Sequence, residues 1–120
     1  MGKTQRLGGW GEDAALSFLK KLGYREIGRG YRTRFGEIDL IVADNSFIVF
    51  VEVKMRRNRD FGEAREFVGA AKQKRVRTTA QIWLNAGGSE LQPRFDVVEV
   101  YAPDGARTRD PEIIHIENAF

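Results

Sequence analysis

Cysteine is absent from this 120-residue chain, and histidine occurs once, as His115. The first absence excludes disulfides, structural thiolate zinc and thiol catalysis. The second argues against any histidine base or cluster of histidine ligands, and His115 reads as a strand residue without catalytic duty. Long apolar runs are missing too. Nothing approaches the ~20 residues of a membrane span, and the opening MGKTQRLGGWGED lacks the apolar core of a signal peptide. A cytoplasmic protein with no membrane partner is expected. There is no linker, internal repeat or low-complexity segment. A chain of this size buries roughly two-thirds of its unfolded surface without staples, so residues 1–120 read as a single domain.

Charge is plentiful but nearly balanced, with a net +3. That figure alone identifies no partner; its distribution says more. Arg29, Arg32 and Arg34 precede residues 36–57, Arg56, Arg57 and Arg59 close or follow them, and Lys72, Lys74, Arg75 and Arg77 lie further on. Fourteen of the twenty basic residues are arginine, whose planar fork suits bidentate phosphate contact. Arg32, Arg34, Arg56, Arg57, Lys72 and Arg75 are therefore candidate nucleic-acid contacts, with DNA as the first expectation.

Residues 36–57, GEIDLIVADNSFIVFVEVKMRR, are two β-branched, aromatic, strand-length runs joined by Asp44-Asn45-Ser46, a β-hairpin pattern. A loop centred on Asp44-Asn45 sets Asp39 opposite Phe50 and Glu37 opposite Glu52. Asp39 and Glu52 are then diagonal neighbours on one face, about 7 Å apart, and Lys54 shares the face of Glu52. An odd-numbered loop would throw Asp39 to the reverse side. Carboxylates gathered on one face repel, so something positive is expected there. Lys54 is one candidate; a divalent Mg2+ or Mn2+ held by hard oxygen ligands, with positions left for water and phosphate, is the other.

Residues 7–22 carry Trp10, Ala14, Ala15, Phe18, Leu19 and Leu22 at helical spacing, with Gly23 as the stop. Glu12 falls inside the buried-facing sector of this first helix, where a first-turn position favoured by the helix dipole is the simplest explanation. Residues 24–31, interrupted by Gly28 and Gly30, form a weak edge or bulged strand. Residues 56–60, with Gly62, read as a mobile loop and 63–67 as a helical turn. Residues 69–86 are the second main helix, with Lys72 and Gln73 one turn before Val76 and toward the sheet. Residues 94–101 and 112–117 are further strands, and Arg94 with Asp96 reads as a structural pair.

Asp39 followed by Glu52-Val53-Lys54 resembles the PD-(D/E)xK restriction-endonuclease-like superfamily. The longer strings GYRTRFGEIDLIV, FVEVKMR, FGEAREFVGAAKQKR and RFDVVEV resemble the YraN-type family of small uncharacterised bacterial proteins, related to archaeal Holliday-junction resolvases. The resemblance spans residues 11–100. It implies an α/β fold with a restriction-endonuclease-like core: a mixed central sheet with a central antiparallel hairpin, flanked by helices. It also implies a metal-dependent endonuclease or resolvase-like activity on structured or branched DNA. Asp39 and Glu52 would hold Mg2+ or Mn2+, Glu12 would assist as a further metal or water ligand, and Lys54 would orient the nucleophile or neutralise the transition state. By the same resemblance Lys72 or Gln73 reaches a phosphate or the attacking water. Glu37 is either a ligand or a partner of Arg32 or Arg34. Symmetric cutting of a four-way junction would require a homodimer. A non-catalytic nucleic-acid-binding module and a protein-interaction factor are the rival classes.

Overall fold

The computed structural model describes residues 2–58 and 69–120, with side chains from residue 9 onward. Of the loop expected at 56–60 with Gly62, Arg56 ends a strand and residues 59, 60 and 62 lie outside the described residues, as does the helical turn expected at 63–67. Helix α1 (Gly2–Lys21) is followed by strands β1 (Arg25–Thr33), β2 (Gly36–Ala43) and β3 (Phe47–Arg56). Helix α2 (Ala70–Asn85) then leads to β4 (Gln92–Tyr101), a short 3-10 turn and β5 (Glu112–Ile116). The five strands form one sheet in the order β1-β2-β3-β4-β5. Every neighbouring pair is antiparallel except β3 and β4, which run parallel across the α2 connection. This mixed sheet with helices is compatible with a restriction-endonuclease-like core. No described helix is long and apolar enough to cross a membrane.

The near-continuous apolar character of β2 and β3 reflects burial on both faces. Ala15, Leu16 and Leu19 of α1 pack with Leu40, Val42, Val49, Val51, Val98 and Val100. Val76 and Ala80 of α2 pack with Ile38, Ile41, Ala43, Ile48 and Phe50. Burying each of the valine, leucine, isoleucine and phenylalanine side chains among them contributes about 1.5–3 kcal/mol, which anchors the hairpin between two helices. The weakness expected of β1 is real. A register shift lies between Glu26 and Gly28, Ile27 is left 43% exposed, and Gly30 takes a positive φ of 64° that other residues adopt at a cost.

The hairpin register differs from the expected one. Asp44 pairs across the turn with Phe47, its N–H donating to the Phe47 carbonyl at 3.1 Å, and its Oδ1 accepts the N–H groups of Ser46 and Phe47, both at 2.8 Å. These bonds hold the Asp44 carboxyl below its ordinary pKa. Asp44 thus closes the turn and Asn45-Ser46 forms its tip, an Asx arrangement. The centre moves by one residue and every pairing by two, giving Leu40 opposite Val51 and Ala43 opposite Ile48.

A buried polar group joins β4 to β5 and to the connection between α1 and β1. Arg94 grips Asp96 through two bonds of 2.9 and 2.8 Å and donates to the Tyr24 hydroxyl at 2.6 Å. Asp96 also takes His115 Nε2 at 2.7 Å and the Asn118 N–H at 3.0 Å. The pairing of Arg94 with Asp96 and the placement of His115 on a strand are both as expected.

Candidate functional site

The alternation of β2 breaks at Asp39: Gly36 and Ile38 turn toward α2, whereas Leu40 and Val42 pack with α1. The backbone ladder between β2 and β3 ends just before this point, at Leu40 and Val51. Beyond it the Val53 N–H donates to Asp39 Oδ2 at 2.8 Å. A side-chain carboxylate thus takes an N–H that a longer ladder would have used, and the strands part around it. Glu37, expected opposite Glu52, lies instead across from Arg32 of β1 and pairs with it at 3.2 Å.

Glu52 is 6% exposed. Its Oε2 receives Lys72 Nζ at 3.1 Å and Lys54 Nζ at 3.6 Å, so α2 reaches the hairpin through Lys72. A buried carboxylate needs such partners, because desolvation otherwise outweighs what it gains. Glu12 does not sit in a first turn, since α1 begins ten residues earlier at Gly2, and the dipole explanation falls. Arg29 of β1 holds it: Nε meets Glu12 Oε1 at 3.2 Å, while a terminal nitrogen reaches Asp13 at 2.7 Å and the Gly9 carbonyl at 3.0 Å.

Three of the four acids here thus carry cations: Glu12 has Arg29, Glu37 has Arg32, and Glu52 has two lysines. Asp39 has no basic partner among the described residues. Burial, then the charge of Glu52, push its carboxyl up to about 7 against the opposing Val53 N–H, with Glu12 and Glu37 adding to the rise. A surplus of negative potential is therefore concentrated on Asp39. Among the described residues no group of three acid or imidazole side chains is gathered closely enough to ligate a metal by itself. The donor set fits a magnesium-type ion, which is commonly held by one or two carboxylates and completed by water and phosphate. It does not form an all-protein cage.

The other candidate residues divide. Lys54 and Lys72 join the carboxylates, Lys72 as an ion-pair partner of Glu52. Gln73 is half-buried in the first turn of α2 and lines a shallow depression with Ala70, Lys74 and Arg77. Arg34 and Arg75 are exposed, Arg57 is exposed and donates to the Pro103 carbonyl at 3.3 Å, and Arg56 is half-buried at the end of β3. Two neighbours of the site were not foreseen. Arg29 counted only as part of a basic cluster. Glu99, wholly buried, accepts the Tyr101 hydroxyl at 3.1 Å and is in register with Lys54 across the parallel pair. A glutamate inside the otherwise apolar VVEVY run was the available signal.

The fold and this carboxylate arrangement define a class: a mixed α/β protein consistent with the restriction-endonuclease-like superfamily. Residues 11–100 match a family described as "Uncharacterised protein family UPF0102". Similar proteins include UPF0102 proteins of Symbiobacterium thermophilum, 53% identical over 85% of this chain and 88% of that one, and of Rhodococcus jostii, 40% identical over the whole of both. One from Geobacter sulfurreducens is 40% identical over 95% of this chain and 88% of its own length. The chain belongs to the UPF0102 family, the YraN-type family that its motifs resemble.

Proposed function

We propose that the protein is a metal-dependent phosphodiesterase, an endonuclease acting on structured or branched DNA in the cytoplasm. The observation that carries this reading is the Asp39 carboxylate, held by the Val53 N–H and feeling the charge of Glu52 where the β2–β3 ladder ends, the one acid of the group without a cation among the described residues. Mg2+ or Mn2+ held by Asp39 and Glu52 would polarise the scissile phosphate and lower the pKa of its bound water. The Val53 N–H fixes the Asp39 carboxylate, leaving Oδ1 for a ligand. Glu12, oriented by Arg29, is a further acid at the edge of the gap. Lys54 and Lys72 balance Glu52 in the resting protein, and with a metal held there their ammonium groups would be available to neutralise the phosphate and the charge developing on it. Cutting both strands of a four-way junction needs two copies of the chain.

The ion pairs on Glu52 favour one alternative, a nucleic-acid-binding module in which these charges form a salt-bridge lattice without chemistry. A screen over branched, single-stranded and duplex DNA and RNA with Mg2+ and Mn2+ separates the two. Metal-dependent cleavage is expected, and Asp39→Ala, Glu52→Ala and Lys54→Ala should each lower it by at least about a hundredfold while binding persists. Binding without cleavage by the wild type, across all metals and substrates, would select the module.

A further inference from the structure

The turn between β1 and β2 is built to present an aromatic ring. Phe35 is 42% exposed, and the Arg34 guanidinium carbon lies 4.9 Å from its centroid, over the ring. The turn beneath is held in place. The Phe35 N–H donates to Thr33 Oγ1 at 3.1 Å, and Thr33 Oγ1 meets Thr79 Oγ1 of α2 at 3.3 Å. Gly36 lies so close to α2 that a Cβ there would stand 3.2 Å from Thr79 Oγ1 and 3.3 Å from Arg75 Cβ. A solitary exposed phenylalanine needs no explanation. This one sits in a turn tied to a helix, is capped by one arginine, is flanked by exposed Arg32 and Arg75, and immediately precedes the strand that carries Asp39.

We propose that Phe35, with Arg34, is a stacking platform for an unpaired nucleobase, and that it directs the enzyme to DNA in which bases are splayed from the duplex. The inference rests on the nuclease reading and names its substrate class. Aromatic faces and guanidinium planes bind single-stranded bases by stacking, without reading sequence, while arginines hold the backbone. A paired base within a duplex exposes no face to Phe35. Four residues of extended chain separate Phe35 from Asp39, roughly 13 Å. That is about four stacked nucleotides at ~3.4 Å each, and fewer where the strand is unstacked, so cutting is expected within a few nucleotides of the branch.

The test uses the full chain in EDTA, a forked DNA with 2-aminopurine at the first unpaired position, and a blunt duplex of equal length. Wild type should prefer the fork and quench the 2-aminopurine. Phe35→Ala and Phe35→Leu should each lose about tenfold in fork affinity, with duplex binding unchanged and quenching abolished, and Phe35→Tyr should restore both. Unaltered thermal melts exclude misfolding. Equal fork binding by Phe35→Ala, or equal loss on fork and duplex, would overturn the platform. If Asp39-dependent cleavage persists alongside that result, the platform alone fails; absence of DNA binding by any form removes it together with the nuclease reading.

Discussion

Asp39→Asn should make the metal-free protein more stable at pH 8, by about 2–4 kcal/mol, and leave its stability at pH 4 unchanged. The Asp39 carboxyl ionises near 3.8 in the unfolded chain and is pushed up to about 7 in the folded one, by burial first and by Glu52 second. Between these values the folded protein keeps a proton that the unfolded chain has released. This contribution to stability is fully present below pH 4 and is lost as pH rises through 7, with a limiting slope of about 1.4 kcal/mol per pH unit. Asparagine can still accept the Val53 N–H but carries no charge to repel Glu52. Urea denaturation in EDTA at pH 4, 6 and 8 measures the difference. A gain in stability paired with loss of cleavage is the trade expected of a site arranged for a ligand. A destabilised Asn variant at pH 8 would mean that the Asp39 charge is already neutralised within the chain.

Asp96→Ala is expected to cost about 3–5 kcal/mol, lowering Tm on the order of 10–20 °C. Asp96 is wholly buried and accepts from Arg94, His115 and the Asn118 N–H. Burial works to raise its pKa, yet His115, Arg94 and the backbone donor outweigh that and hold it below the ordinary value. The stability contributed by Asp96 is therefore present above the unfolded carboxylate pKa and lost as pH falls through the depressed folded value. Removing it leaves the guanidinium of Arg94, itself 9% exposed, among Tyr24 and Phe47 with a long contact of 3.8 Å to Glu117 in place of its close carboxylate. Arg94→Met with Asp96→Leu, which removes both charges, should recover much of the loss. Calorimetry on the single and double variants checks this. Because the group is structural, DNA binding of folded Asp96→Asn should match wild type.

The sheet and the two main helices were legible in the sequence, because alternation and helical periodicity report burial directly. The exact pairing was not. It depended on whether Asp44 served as tip or closing residue of the turn, and that was decided by two hydrogen bonds to its own carboxylate. Glu12 was picked out correctly as facing inward, yet its partner Arg29 lies seventeen residues away on β1, a contact that no local pattern encodes. The same holds for Lys72, whose distance from Glu52 depends on how α2 settles on the sheet, and for Tyr24, joined to Arg94 across seventy residues. Glu99 was overlooked because a single acid in a strand attracts no attention until neighbouring strands give it company.

The central claim is that the gap between Asp39 and Glu52 is a cation site, and calorimetric titration with Mn2+ near pH 7 tests it without recourse to any substrate. Wild type should bind the ion and release protons, since Asp39 must ionise to ligate it, and the heat should therefore depend on the buffer. Asp39→Ala and Glu52→Ala should abolish binding while remaining folded. Uptake that is absent in the wild type, or that both variants retain undiminished, would contradict the claim.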